Sequence, residues 1–182
     1  SVAACLKHYV GYGASEAGRD YVYTEISRQT LWDTYLPPYK IGVDAGAATI
    51  MSSFNDISGV PGSANHYTLT EVLRNKWSFK GMVVSDWGAI MQLQSQGLAK
   101  DLKDAGMYAM NAGLDMDMMS HSYDTYLEVL VNEGKVSLAS VDEAVRRVLR
   151  VKFQLGLFEN PYTPTSKPSE RFLKSESRQV AS

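Results

Sequence analysis

An aspartate and a tryptophan follow directly after an apolar run, in the sequence Gly81-Met-Val-Val-Ser-Asp-Trp-Gly88. The four residues before Asp86 have the character of a buried strand, so this carboxylate is expected at a strand end. A carboxylate in that position can attack or stabilise an electron-poor centre, and Trp87 offers a flat face for stacking on a sugar ring. The structural alternative is that Asp86 caps the next segment or pairs with Lys7. We take Asp86 as the first candidate catalytic residue.

Lys7 and His8 form the second candidate pair, at the end of the apolar run 2–8. Lysine supplies three hydrogen-bond donors and histidine one or two, which is a set suited to binding hydroxyl groups. Adjacent residues on a strand point to opposite faces, so both side chains can serve one site only if the strand ends or bulges there. Two alternatives remain open: structural pairing of both residues, and a Schiff-base role for Lys7 as in aldolase-type barrels.

Asp115 and Asp117 lie two residues apart in Gly113-Leu-Asp-Met-Asp-Met118. Paired carboxylates can perform acid–base chemistry or bind a metal ion. His66 and His121 are distant in sequence, however, and no spaced set of ligands completes a metal site. Structural hydrogen bonding is therefore the favoured interpretation, and the sequence predicts neither a metal nor a cofactor.

The elements that must position these residues alternate along the chain. Predicted strands occupy residues 2–8, 47–53, 81–86 and 112–116. Predicted helices occupy residues 29–44, 68–76, 102–111, 123–133 and 141–155. Pro37 and Pro38 should kink or restart the first helix. Capping boxes at Thr68 with Glu71, and at Ser140 with Glu143, should open the second and fifth helices.

This alternation predicts an α/β fold with a parallel sheet. A complete (β/α)8 barrel takes about 250 residues, so 182 residues can hold about half of one. The rival is an open doubly wound sheet, but no glycine-rich phosphate-binding pattern follows any predicted strand. We therefore predict a partial (β/α)8 TIM-type barrel. Strand ends form the rim of such a barrel, which would bring the candidates above together.

Composition excludes several classes of protein. The chain is 45% hydrophobic and 21% charged with a net charge of -2, which gives no reason to expect nucleic acid or an anionic membrane as partner. Cys5 is the only cysteine, so no internal disulfide can form. Neither an initiator methionine nor a signal-peptide pattern opens the sequence, and both ends are interpreted as cut. Residues 159–182 begin with a stretch rich in Pro, Ser and Thr and are predicted to form a linker.

Several stretches together resemble glycoside hydrolase family 3, and its β-glucosidase group in particular. The stretch from Val72 to Ala89 matches the active-site signature of the family at every constrained position, and the resemblance runs nearly end to end. Further matches are Lys7-His8-Tyr9, Tyr35-Leu-Pro-Pro-Tyr39, Met51-Ser-Ser-Phe-Asn55, Gly113-Leu-Asp-Met-Asp-Met118 and the run from Arg146 to Phe158.

The resemblance implies a role for each matched residue. Asp86 would be the catalytic nucleophile, and Lys7 nearby would help to keep it ionised. Lys7, His8 and Met51, together with Trp87, would bind the sugar. The chain would be a retaining exo-acting β-glycosidase, specifically a β-glucosidase that releases terminal β-D-glucosyl residues through a covalent glycosyl-enzyme. A Schiff-base lyase using Lys7 and a non-catalytic sugar-binding relic are the alternatives.

The resemblance also implies a domain organisation. Residues 1–158 would be the C-terminal half of the N-terminal barrel domain, and residues 159–182 would lead to a C-terminal domain that lies outside this chain. That domain would supply the acid/base, so the 182 residues alone are expected to be inactive. The glucosaminidase branch instead carries a histidine in a Pro-Gly-His-Gly-Asp loop, which residues 10–19 lack. The family further suggests a periplasmic or secreted protein.

Overall fold

A parallel sheet forms the centre of the computed structural model, which describes residues 2–162 and Gln179. Its strands β1 (Cys5–Tyr9), β2 (Thr49–Ser52) and β5 (Met82–Val84) lie in the order β1-β2-β5. The pairs Cys5 with Thr49 and Ile50 with Val83 set the register. A small antiparallel hairpin of β3 (Asp56–Ile57) and β4 (Val60–Pro61) follows β2.

Helical segments connect and follow these strands. The α-helices are α1 (Arg28–Thr30), α2 (Pro37–Asp44), α3 (Ala89–Ser95), α4 (Leu102–Ala112), α5 (Ser122–Asn132) and α6 (Leu138–Gln154). Two further segments, Leu31–Tyr35 and Tyr67–Lys76, have π-helical hydrogen bonding, and short 3₁₀ turns cover Tyr12–Ala14, Glu16–Gly18 and Gly62–Ala64. The prediction that Pro37 and Pro38 kink or restart the first helix is confirmed, because α2 begins at Pro37.

The core lies between the sheet and the helices. Ile50 of β2 and Val83 and Val84 of β5 are buried, as is the inner face of the helix Tyr67–Lys76. Burial of a large aliphatic side chain contributes about 1.5–3 kcal/mol, so this shared cluster fixes how the strand ends are arranged. The partial (β/α)8 barrel with its parallel sheet is confirmed.

The fourth predicted strand is wrong. Helix α4 continues to Ala112, and Gly113 ends it in the left-handed conformation with φ 99°. Only Met116 pairs with the sheet, through a single parallel bridge to Val84. Ala112, the first residue of the run 112–116, therefore ends α4, and Met116, its last residue, forms the bridge. The helix stops inside the run because Gly113 ends it.

Two predicted capping boxes are also wrong. The side chain of Asn65 accepts a hydrogen bond from the Thr68 backbone N–H, so Thr68 lies inside the helix that it was expected to begin. In α6 the cap is Ser137, which accepts from the Ser140 backbone N–H. In both cases a polar residue three positions earlier caps the helix.

Helix α3 and the hairpin of β3 and β4 were not predicted from the sequence. Helix α3 begins three residues after Asp86, and the β3–β4 hairpin turns through Ser58 and Gly59, which both have positive φ. None of the helices in the described part of the chain is long and apolar enough to cross a membrane. Most of the predicted linker, at residues 163–178 and 180–182, lies outside the described residues.

Candidate active site

Asp86 lies immediately beyond β5, at the carboxyl end of the sheet. Its Oδ1 accepts a hydrogen bond of 2.7 Å from the Trp87 backbone N–H. Its Oδ2 lies 3.3 Å from Nε2 of His8, and the Asp86 side chain is only 14% exposed. The carboxylate is thus largely buried and oriented by two contacts, which leave further lone pairs for a substrate.

The turn that carries Asp86 is tied to the segment after Met116. The Ser85 hydroxyl donates to the Asp86 carbonyl oxygen at 2.9 Å and accepts from the Met118 N–H at 2.8 Å. The Gly88 N–H donates to the Met118 carbonyl oxygen at 2.8 Å, and Gly88 has φ 66°. These bonds hold the backbone of the turn in place. The Trp87 side chain projects from it and is 64% exposed.

The end of β1 brings His8, and not Lys7, to Asp86. The register of β1 against β2 shifts between Leu6 and Tyr9, which is the irregularity that both side chains would need to serve one rim. Lys7 is exposed and makes no ion pair within the described part of the chain. Lys7 therefore forms no direct ion pair with Asp86 in this structure. Lys7 instead lines an open cleft of about 370 Å³ together with His8 and Tyr12.

The backbone of His8 is held by a tyrosine from α2. The Tyr39 hydroxyl donates to the His8 carbonyl oxygen at 2.6 Å. Burial raises the pKa of Tyr39 to about 12, so this hydroxyl remains a donor at any pH at which the protein would work. Tyr39 belongs to the Tyr35-Leu-Pro-Pro-Tyr39 stretch noted in the sequence. Through this bond the stretch holds the backbone of His8 at the end of β1.

Met51 lies on β2 and is half-buried. It pairs in register with Val84, two residues before Asp86 on the neighbouring strand. Met51 therefore lies near the rim, on the strand between β1, which carries His8, and β5, which leads to Asp86.

Tyr12 is a residue of this region that the sequence analysis did not single out. Its ring makes an edge-on contact with the His8 ring, at 5.3 Å between centroids. Its hydroxyl donates to Asp20 Oδ1 at 2.6 Å. An available signal was the aromatic residue between two glycines, Gly11 and Gly13, directly after the strand that carries His8.

Asp115 and Asp117 make structural hydrogen bonds, in agreement with the favoured interpretation. Asp115 is buried, accepts from the Val83 backbone N–H, and pairs with Arg74 at 2.6 Å and with Arg147 at 2.8 Å. Asp117 accepts from the backbone N–H groups at the start of α5, including that of Ser122 at 2.8 Å. One carboxylate thus joins three elements and the other caps a helix.

We expect Asp115→Ala to lower the free energy of unfolding by about 3–5 kcal/mol, because it leaves the buried Arg74 guanidinium without its charged partner. Asp142→Ala is the matched control, since Asp142 is 54% exposed and lies 4.0 Å from Arg146. Loss of such a surface pair costs at most about 1 kcal/mol. Urea unfolding followed by tryptophan fluorescence measures both variants, and equal destabilisation would contradict the structural role of Asp115.

The other two histidines contact acids at the surface. His66 Nδ1 lies 3.7 Å from Glu71, and His121 Nδ1 lies 2.9 Å from Asp124. Within residues 2–162 and Gln179, no group of three or more His, Cys, Asp or Glu side chains is arranged to hold a metal ion. The carboxylate at the strand end is therefore the focus of the candidate site.

A parallel sheet with helical crossovers, and an oriented carboxylate at its carboxyl edge, defines this chain as part of a TIM-type (β/α)8 barrel. The family model described as "Glycosyl hydrolase family 3 N terminal domain" matches residues 1–151. The chain belongs to this glycosyl hydrolase family.

Individual relatives agree with this assignment. A periplasmic β-glucosidase of Salmonella typhimurium is 42% identical over 100% of this chain and 25% of its own length. A putative β-xylosidase of Formosa agariphila is 40% identical over 88% of this chain and 22% of its own length. The crystal structure of a β-glucosidase from Listeria innocua in complex with glucose superposes with a TM-score of 0.93, at 40% identity, over 99% of this chain and 25% of that one. The chain thus spans about a quarter of the length of these relatives.

Proposed function

We propose that the full-length protein is a retaining exo-acting β-glycosidase, specifically a β-glucosidase, with Asp86 as its nucleophile. The observation that carries the proposal is the buried, doubly contacted Asp86 carboxylate at the end of β5, in a chain of this family. The names of the relatives favour β-glucosidase. They support neither a Schiff-base lyase nor a non-catalytic relic.

The proposed reaction has two steps. Asp86 attacks the anomeric carbon of the terminal β-D-glucosyl residue, while a second carboxyl group protonates the departing glycosidic oxygen. The same second group then takes a proton from water, which attacks the glycosyl-enzyme and releases both the sugar and Asp86. Retaining enzymes keep the two carboxyl groups about 5–5.5 Å apart. The hydrogen bond from the Trp87 N–H holds one oxygen of Asp86, so the backbone turn sets the orientation of the carboxylate.

We propose that the acid/base lies outside these 182 residues, in a C-terminal domain to which residues 159–182 would lead. The resemblance to β-glucosidases of this family implies this location. The proposal is supported by the relatives, which are about four times as long as the chain. Residues 1–158 would then supply the nucleophile side of the site and the C-terminal domain would supply the acid side.

The proposed sugar-binding residues lie on or just after three neighbouring strands. His8 contacts the carboxylate itself, Met51 lies on the middle strand, and Trp87 exposes its indole beside the nucleophile. Lys7 lines the open cleft and offers three hydrogen-bond donors to sugar hydroxyls. The substrate would be a β-glucoside or a short oligosaccharide bound by its terminal sugar.

We also propose that the full-length protein acts in the periplasm or outside the cell. The name of the Salmonella relative, a periplasmic β-glucosidase, supports this location.

A mechanism-based fluorosugar tests the assignment of the nucleophile. Incubation of the full-length protein with 2,4-dinitrophenyl 2-deoxy-2-fluoro-β-D-glucoside should trap the glycosyl-enzyme, because fluorine slows its hydrolysis. Tryptic digestion releases residues 81–100, in which Asp86 is the single acidic residue. A mass increase on that peptide is expected, and preincubation with glucose should slow its appearance. A label on a different peptide would refute the role of Asp86.

A further inference from the structure

The imidazole of His8 makes a polar contact and an aromatic contact. Its Nε2 contacts Asp86 at 3.3 Å, and its side chain is 28% exposed. The bond from Tyr39 reaches the His8 backbone and does not fix the ring. The Tyr12 ring packs edge-on against the imidazole, at 5.3 Å between centroids. Tyr12 therefore limits how far the imidazole can turn away from the direction in which it presents Nε2.

Tyr12 takes part in two side-chain hydrogen bonds of its own. Its hydroxyl donates to Asp20 at 2.6 Å, and its carbonyl oxygen accepts from the Ser15 hydroxyl at 3.0 Å. Burial and the bond to Asp20 raise the pKa of the Tyr12 hydroxyl, so that it stays a donor. Gly11, with φ 79°, begins the turn that directs the Tyr12 ring back towards β1. These bonds hold the hydroxyl and the backbone of Tyr12 beside the end of β1.

We infer that the ring of Tyr12 positions the imidazole of His8 against the carboxylate of Asp86. The inference rests on the proposed function, because it assigns to Tyr12 an effect on the same site. Aromatic edge-to-face contacts are directional, so loss of the ring lets the imidazole rotate away from Asp86. In this inference Tyr12 acts on the site through His8.

A double-mutant cycle in the full-length protein tests this coupling. The variants are Tyr12→Leu, His8→Ala and the combination, assayed with 4-nitrophenyl β-D-glucoside. Tyr12→Leu should lower kcat/KM by about tenfold, a size typical of side chains in contact. In the His8→Ala background the same change should cost less than about twofold, because the group that Tyr12 positions is gone.

Two further variants separate positioning from general loss of structure. Tyr12→Phe keeps the ring against His8 and loses only the bond to Asp20, so its kcat/KM should stay within about threefold of the wild-type value. Tyr23→Leu is the matched control from the same loop, because the Tyr23 side chain is 57% exposed. It should leave kcat/KM and the melting temperature unchanged.

The outcomes are distinct. A strongly reduced effect of Tyr12→Leu in the His8→Ala background, with rescue by Tyr12→Phe, supports the inference. Independent, multiplying losses in an active protein would overturn it while leaving the proposed function intact, as would equal losses in Tyr12→Phe and Tyr12→Leu. A wild-type protein that does not hydrolyse the glucoside would remove the proposed function and this inference together.

Discussion

Replacement of Asp86 by glycine in the full-length protein is expected to lower kcat for an aryl β-glucoside by about 10⁴-fold or more, since loss of a nucleophile removes the covalent route. Asp86 is held at the strand end by the Trp87 N–H and His8, so its removal leaves a small cavity with the surrounding turn intact. Ser85, Gly88 and Met118 fix that turn through bonds that do not involve the Asp86 side chain. The loss should therefore be chemical and not structural.

Azide provides the sharper part of this experiment. A small anion can enter the space left by the carboxylate and attack the anomeric carbon from the same side, so sodium azide should restore release of dinitrophenol from 2,4-dinitrophenyl β-D-glucoside. Because a single displacement inverts the configuration, the product should be the α-glucosyl azide. Proton NMR of the product distinguishes the α from the β form.

The control for this prediction is Asp44→Gly, which removes an exposed carboxylate that pairs with Lys40 at the end of α2. It should retain the wild-type rate and show no response to azide. A β-glucosyl azide from the Asp86→Gly variant would assign Asp86 to the acid/base role and contradict the proposal. Full activity of Asp86→Gly without azide would exclude Asp86 from both roles.

The second large effect concerns the 182 residues on their own. We expect the isolated chain to hydrolyse 4-nitrophenyl β-D-glucoside at least about 10³-fold more slowly than the full-length protein, since a general acid alone contributes about 10²–10⁴-fold. The proposed acid/base lies elsewhere in the protein. Parallel assays of the two purified proteins, with circular dichroism as a check on folding, measure the difference. Comparable turnover by the isolated chain would contradict the proposed division of the site.

A comparison of leaving groups distinguishes the lack of an acid from a sugar site that is not formed. A dinitrophenolate departs without protonation, so the absence of an acid should matter less for 2,4-dinitrophenyl β-D-glucoside than for cellobiose. A loss of equal size with both substrates would indicate that the sugar site itself is not formed. Helix α6 is relevant to whether the isolated chain forms this site as a monomer. Its residues Leu138, Val145 and Phe153 are each at least half exposed along the outer face. Exposed apolar stripes of this kind favour association, which light scattering of the isolated chain would detect.

Local sequence was sufficient for much of the framework. Continuous apolar runs predicted β2 and β5, since a strand covered on both faces needs apolar residues at every position. The paired prolines predicted the restart of the helix at Pro37, because proline lacks the N–H that a helix interior needs. Gly113 ends α4 in the left-handed conformation, which glycine adopts at little cost. The caps were harder, because Asn65 and Ser137 compete with polar neighbours that fit the same spacing.

Part of the candidate site also follows from the local sequence, and the rest depends on the tertiary structure. The sequence by itself determined that Asp86 ends a buried strand beside Trp87, since both facts follow from neighbouring residues in the chain. Only the tertiary structure decided that His8 rather than Lys7 meets Asp86, because that depends on a shift in register between Leu6 and Tyr9.

Tertiary packing likewise decided the partners of two other groups. Asp115 turns towards Arg74 and Arg147, which lie 41 and 32 residues away in sequence. Tyr12 supports His8 because a loop closed by Asp20 directs its ring back to the strand. Sequence patterns report which residues share a face of one element. Contacts between elements arise from packing of the whole core, and only the folded chain specifies them.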